Sequence, residues 1–290
     1  RTIVSNLLKK IPMPIVGLML AFAALGNLVQ SYGELYRTIL GSISMMLFVI
    51  ATMKFASNFK GLVEELNNPM GASVFPTYSM GIMLLATYLK PLHSGIAYIV
   101  WMIGVLLHIF LLVRFTLQFV TKFNIKQVFP SWFIVYVGIA VASVTGKAFQ
   151  PIIGQIAFGI ALLSYLVLLV IVGRRVFVIK EIPEPALPTL VIISAPGSLC
   201  LAGYINIFDT KNMGLFWFLL VLSQLLYLFA LIKLVNLLKL KFYPSYSGFT
   251  FPIVISAMAL KLSNGFLIKQ GYSTGLLPFF VKAEELIAIL

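Results

Sequence analysis

Carboxylates, histidine and cysteine are close to absent from this sequence: 8 Asp and Glu, 2 His and 1 Cys in 290 residues. The lone Cys200 excludes an internal disulfide framework and any multi-cysteine metal site, and it reads as a small buried residue. No Cys, His and Asp group has the spacing of a metal site or of a nucleophile with its base. No glycine loop is built to cradle phosphate, and no acid pair sits at membrane depth. These absences argue against an embedded enzyme and imply no cofactor. Charge is also scarce, with 10% of residues charged against 61% hydrophobic and a mean hydropathy of +1.05. A water-soluble domain cannot bury that much apolar surface, so the solvent for most of the chain is lipid. At roughly 20 residues per crossing, the chain holds about ten short-looped spans.

Apolar runs fall at about 12–30, 34–57, 73–89, 93–120, 131–147, 149–176, 188–205, 213–238 and 247–268. A tenth begins near 277 and reaches Leu290, too short to cross, so it is expected to be a truncated tenth helix. No cleavable signal precedes the first span, and the chain opens at Arg1 without a methionine, which implies missing residues ahead of it. The eight carboxylates fall in predicted connections or at helix ends, with none inside an odd-numbered span.

The formal charge of +13 would suggest nucleic acid in a soluble protein. Its placement says otherwise. Fourteen basic residues, Arg1 among them, lie at the N-terminus or after even-numbered spans; six lie on the opposite side, and Lys261 alone lies within a span. By the positive-inside rule the N-terminus is cytoplasmic and odd spans run outward. The charge is then topology signal and contact with the lipid bilayer of a cell membrane, plasma or inner, with no nucleic-acid role.

A repeat follows. Each odd span carries a proline near its cytoplasmic start: Pro14, Pro76, Pro130, Pro188 and Pro244, spaced by 62, 54, 58 and 56 residues. One unit is a two-helix hairpin, giving a single transmembrane domain over 1–290 with repeats at about 11–60, 73–122, 130–178, 188–240 and 244–290. An even number of crossings keeps every unit in one orientation, so the units are related by an axis along the membrane normal. Even spans are rich in Leu, Ile, Val and Phe ("GIALLSYLVLLVIVGRR"); odd spans are rich in Gly, Ala and Ser ("GIAVASVTG"). Small residues let helices approach closely in lipid. The expectation is an all-α protein with five odd helices inside five even ones. The axial space is either a pore or a solid packing seam.

Inside the ninth span stands "FTFP". Pro252 has no N–H, so the carbonyl of Gly248 is expected to lose its partner, and Pro196 does the same to Ile192 in the seventh span. With Gly197 and Gly248 alongside, these prolines predict kinks that either widen a conduit or serve packing. Phe249 and Phe251 differ by about 200° around the helix. One can face the axis while the other faces a neighbour, and a ring on a narrow axis would block it.

These segments, "FPTYSMGIMLLATYL", "FPSWFIVYVGIAVAS", "PTLVIISAPGSLCLAGY" and "YPSYSGFTFPIVISAMALK", resemble the tellurite-resistance/dicarboxylate transporter family, which includes bacterial TehA proteins, yeast malic acid permease and plant slow anion channels. The resemblance covers nearly the whole chain. It implies ten transmembrane helices as a quasi-fivefold barrel of hairpins, a homotrimer, and a pore in each protomer closed by a phenylalanine on the ninth helix. The matching position is Phe251, with Phe249 next in line.

Two lysines stand out against the apolar spans. Lys261, in the ninth span, would cost ~2.5–3.5 kcal/mol to bury unpaired, and Lys147 follows "VASVTG". They either attract anions at the pore mouth or snorkel to the interface. His93 and His108 fall on an even, outer span and read as structural hydrogen-bonding residues. The expected function is a channel or channel-like transporter for small inorganic or organic anions. The rival is a proton-coupled carrier of C4-dicarboxylates such as malate, and a remote third reading is a non-transporting structural protein.

Overall fold

The ends of the helices are written in local chemistry. In the computed structural model, which describes residues 2–290, Asn68 and Asn212 place side-chain oxygens on the first free amides of the helices they precede, and His93 does so with Nδ1. Pro69 opens the helix that Asn68 caps and Pro151 opens another, where a missing N–H removes no intrahelical bond. Arg1 lies outside the described residues.

The helices are α1 (Thr2–Lys10), α2 (Ile15–Tyr32), α3 (Glu34–Ser57), α4 (Phe59–Leu66), α5 (Pro69–Leu89), α6 (Ser94–Val120), α7 (Trp132–Ala148), α8 (Pro151–Ile179), α9 (Glu184–Ile207), α10 (Met213–Leu237), α11 (Pro244–Lys269) and α12 (Leu277–Ile289). Among the described residues there is no strand, and eight helices are long and apolar enough to cross a membrane; α7 is a shorter apolar helix. The third span begins at Pro69, a turn before the expected start, because Asn68 caps it there.

Burial separates two sets. Over their most apolar stretches, α5 and α9 are 78% and 89% buried, whereas α3 and α10 are 22% and 33% buried. Within the buried set α2 contacts α5, α5 contacts α7, α7 contacts α9, α9 contacts α11, and α11 returns to α2. Each of these also packs on the helix that follows it in the chain: α3, α6, α8, α10 and α12.

Lipid offers no hydrophobic drive between helices, so close approach and polar links hold the sets together. A Cβ on Gly203 would sit 2.8 Å from Cβ of Ser143. The Ser143 hydroxyl donates to the carbonyl of Gly154 at 2.7 Å, and that of Ser44 to Met19 at 2.7 Å. His108 is fully buried, bridging Ser79 Oγ at 2.8 Å and the Val135 carbonyl at 2.9 Å, while His93 caps α6. Cys200 is buried. Each interhelical bond of this kind contributes about 0.6 kcal/mol in a bilayer.

Two expectations are corrected. The carboxylates do not all lie in connections or at helix ends: Glu284 and Glu285 are inside α12 and 5% and 3% exposed. The Ile192 carbonyl does not lose its partner to Pro196. Residues Glu184–Ser194 form a 3-10 helix, and the amide of Ala195 takes that carbonyl by the i−3 bond. The α-helical part of α9 starts at Ala195, so Pro196 occupies its first turn. Pro252 lies likewise in the first turn of Thr250–Lys269, behind the 3-10 stretch Pro244–Phe249.

Candidate functional site

Eleven residues of 3-10 helix in α9 are far beyond the usual three or four, and such stretches mark strain or a hinge. The sequence supports them locally. Pro185 and Pro188 suit the tight turn, and hydroxyls cap carbonyls three residues back: Thr189 on Ala186 at 2.6 Å, Ser194 on Val191 at 2.8 Å and, in α11, Thr250 on Ser247 at 2.6 Å. These three hydroxyls thus have their hydrogens already committed to the backbone.

Where these 3-10 segments meet the starts of α2, α5 and α7, a cavity of about 70 Å³ opens, lined by all five helices of the buried set. Gly17, Thr77, Gly138, Thr189 and Ser247 are among its walls. A second cavity of about 30 Å³ lies toward the far ends of the same five helices, with Ala24, Leu84, Val144 and Met258 among its walls. The volumes hold a few waters and one or two, respectively. No charged side chain lines either cavity.

Two side chains border both cavities: Phe251 of α11 and Leu199 of α9. They are 7% and 3% exposed. They are the two residues common to the two linings. Phe249 is in neither lining; its ring packs on Tyr246 with centroids 4.7 Å apart. Sequence reasoning missed Leu199, because nothing distinguishes one leucine in an apolar span. Of the other nominated residues, Pro196, Gly248 and Pro252 line the first cavity. Gly197 does not, since its open side faces Tyr165 and Ser223.

The two lysines stand away from both linings, and each is met by a carboxylate. Lys147 Nζ is 2.5 Å from Asp209, with both side chains exposed. That ammonium, chiefly through its hydrogen bond, holds the Asp209 carboxyl below its ordinary range. Lys261 Nζ is 2.8 Å from Glu285 Oε1 and also donates to the Leu28 carbonyl at 3.0 Å and Ser31 Oγ at 2.6 Å. Tyr32 donates its hydroxyl to the other oxygen of Glu285. Pairing weakens the potential that either lysine could project toward an anion, the first of the two roles open to them. Among the described residues, no three His, Cys, Asp or Glu side chains converge as metal ligands.

A model of the SLAC1 family, described as voltage-dependent anion channel, matches residues 3–277. No curated protein matches the chain.

Proposed function

The chain belongs to the SLAC1 family of voltage-dependent anion channels, and from that premise we propose that each copy passes small anions along the line of the two cavities, held shut here by Phe251. The observation that carries this reading is the shared lining: one aromatic ring and one leucine border both spaces, and five helices line each. Rotating the Phe251 ring aside would join them. A hydrophobic constriction of this kind gates by excluding water and the ions that need it.

The closed cycle of contacts from α2 through α11 supports five hairpins in quasi-fivefold arrangement, with repeats at about 11–60, 73–122, 130–178, 188–240 and 244–290. The distribution of basic residues supports a cytoplasmic N-terminus, with the first cavity, beside the starts of the outward-running helices, on the cytoplasmic side. The family likeness further suggests a homotrimer in the cell membrane with a pore in each protomer. A mostly apolar, uncharged lining makes dehydration the main cost of passage, so weakly hydrated anions should cross most readily.

The proton-coupled C4-dicarboxylate reading keeps one supporting observation: the buried carboxylates Glu284 and Glu285 in α12. Currents from protein reconstituted in liposomes, under chloride, nitrate and malate gradients with and without a pH gradient, separate the two. A channel reverses at the anion equilibrium potential regardless of pH, whereas a coupled carrier shows malate uptake that follows the pH gradient.

A further inference from the structure

The outer cavity has one polar side chain in its wall. Asn27 of α2 stands there among Ala24, Leu84, Val141, Ile255 and Met258. Its orientation is set from outside the conduit. Arg37 of α3 donates its Nε–H to Asn27 Oδ1 at 3.0 Å. With the oxygen occupied, the amide N–H2 is the free end of a side chain that lines the cavity, and no hydrogen bond among the described residues uses it.

The support behind Asn27 is built from three helices. The Arg37 guanidinium lies over the Tyr88 ring, 3.9 Å from its centroid. Tyr88, on α5, is anchored by its hydroxyl to the Ala23 carbonyl at 2.6 Å. The ring fits between α2 and α3 because Gly26 and Gly41 have no Cβ; one on either would come within 2.2 Å or 2.3 Å of Tyr88 atoms. Arg37 takes part in none of the ion pairs among the described residues, unlike Lys147 and Lys261. Its charge is thus coupled to the conduit through a single neutral amide.

We propose that Asn27, held and polarised by Arg37, is an anion-recognition point in the outer half of the conduit, taking a small weakly hydrated inorganic anion such as nitrate or a halide on its amide N–H2. Arg37 is a positioning residue. A polarised neutral donor strengthens a hydrogen bond to an anion. It also avoids the tight trapping that a bare cation in an apolar tube would cause, and conduction needs sites an ion can leave. This inference rests on the conduction reading above.

The experiment records anion currents in planar bilayers with Phe251→Ala as the background and titrates nitrate and chloride. Asn27→Leu should raise the half-saturating anion concentration roughly tenfold, the loss expected for one hydrogen bond to a charged group, and should shift the nitrate-to-chloride permeability ratio. Arg37→Gln should move the half-saturation in the same direction by a smaller factor. Asn27→Ala, smaller than the native side chain and without a donor, replaces Asn27→Leu if the latter does not fold. Unchanged half-saturation and permeability ratio in a conducting Asn27 variant overturn the proposal. Absence of extra current in Phe251→Ala itself contradicts the conduction reading, and anomalous scattering from bromide-soaked crystals then decides this one. A bromide peak within hydrogen-bond reach of the Asn27 amide, lost in the Asn27 variant, supports it. No peak there overturns it.

Discussion

The buried helices α5 and α9 are less hydrophobic than the peripheral α6 and α8, yet 78% and 89% buried against 33% and 33%. In a water-soluble protein the order would be reversed. Here lipid is as good a solvent for leucine as another leucine, so the most apolar helices go outside. Glycine, serine and alanine go inside, where close approach and backbone-directed hydroxyls hold the helices together. Hydropathy in such a chain reports contact with lipid, and the smallness and hydroxyl content of a helix report the core.

The comparison can be broken hardest at the charged clamp on the inner set. Lys261 of α11 and Glu285 of α12, the latter 3% exposed, bind each other beside α2. Lys261→Met should lower stability by about 3–5 kcal/mol, because the buried Glu285 carboxylate is left without its cation. The paired change Lys261→Met with Glu285→Leu should recover much of that loss, as read by thermal unfolding in detergent. Next comes inner packing. Gly203→Ala puts a methyl 2.8 Å from Ser143 Cβ and should cost about 1–3 kcal/mol. The same change on a peripheral helix sharpens the contrast: Gly159→Ala on α8 meets nothing within 4 Å. It should be neutral or stabilising by up to about 1 kcal/mol from helix propensity.

The smallest effect belongs to the exposed Lys147–Asp209 pair. Lys147 depresses the folded-state pKa of Asp209 below its ordinary 3.8. The pair's contribution is therefore present above about pH 4 and lost as pH falls through that lowered value. The melting temperature of the native protein should decline slightly below pH 4, and that part of the decline should be missing in Asp209→Asn. The midpoint should not move with pH between 5 and 8 on account of this pair.

Much of this architecture was legible in the residues. The runs 34–57 and 213–238 became Glu34–Ser57 and Met213–Leu237, because lipid-spanning segments announce themselves by length and composition. The Gly, Ala and Ser bias marked the buried set, and the resemblance pointed to Phe251, which borders both cavities. The helix type was not legible. Periodicity does not separate 3-10 from α in a run that is apolar on all sides, so the prolines read as kinks although Pro196 sits where the helix type changes. Partners far apart in sequence were not legible either. Glu285 meets Lys261 only once α12 has docked, and Arg37 reaches Asn27 only through the α2–α3 turn.

Conduction as proposed requires the Phe251 ring to be the barrier between the two cavities. Single-channel recording of Phe251→Ala and Phe249→Ala side by side in planar bilayers tests it most directly. Phe251→Ala should raise anion current roughly tenfold or more, the effect of removing a barrier of at least ~1.4 kcal/mol, while Phe249→Ala stays near the native level. A folded Phe251→Ala protein with native current, or a Phe249→Ala protein that matches its increase, would contradict it.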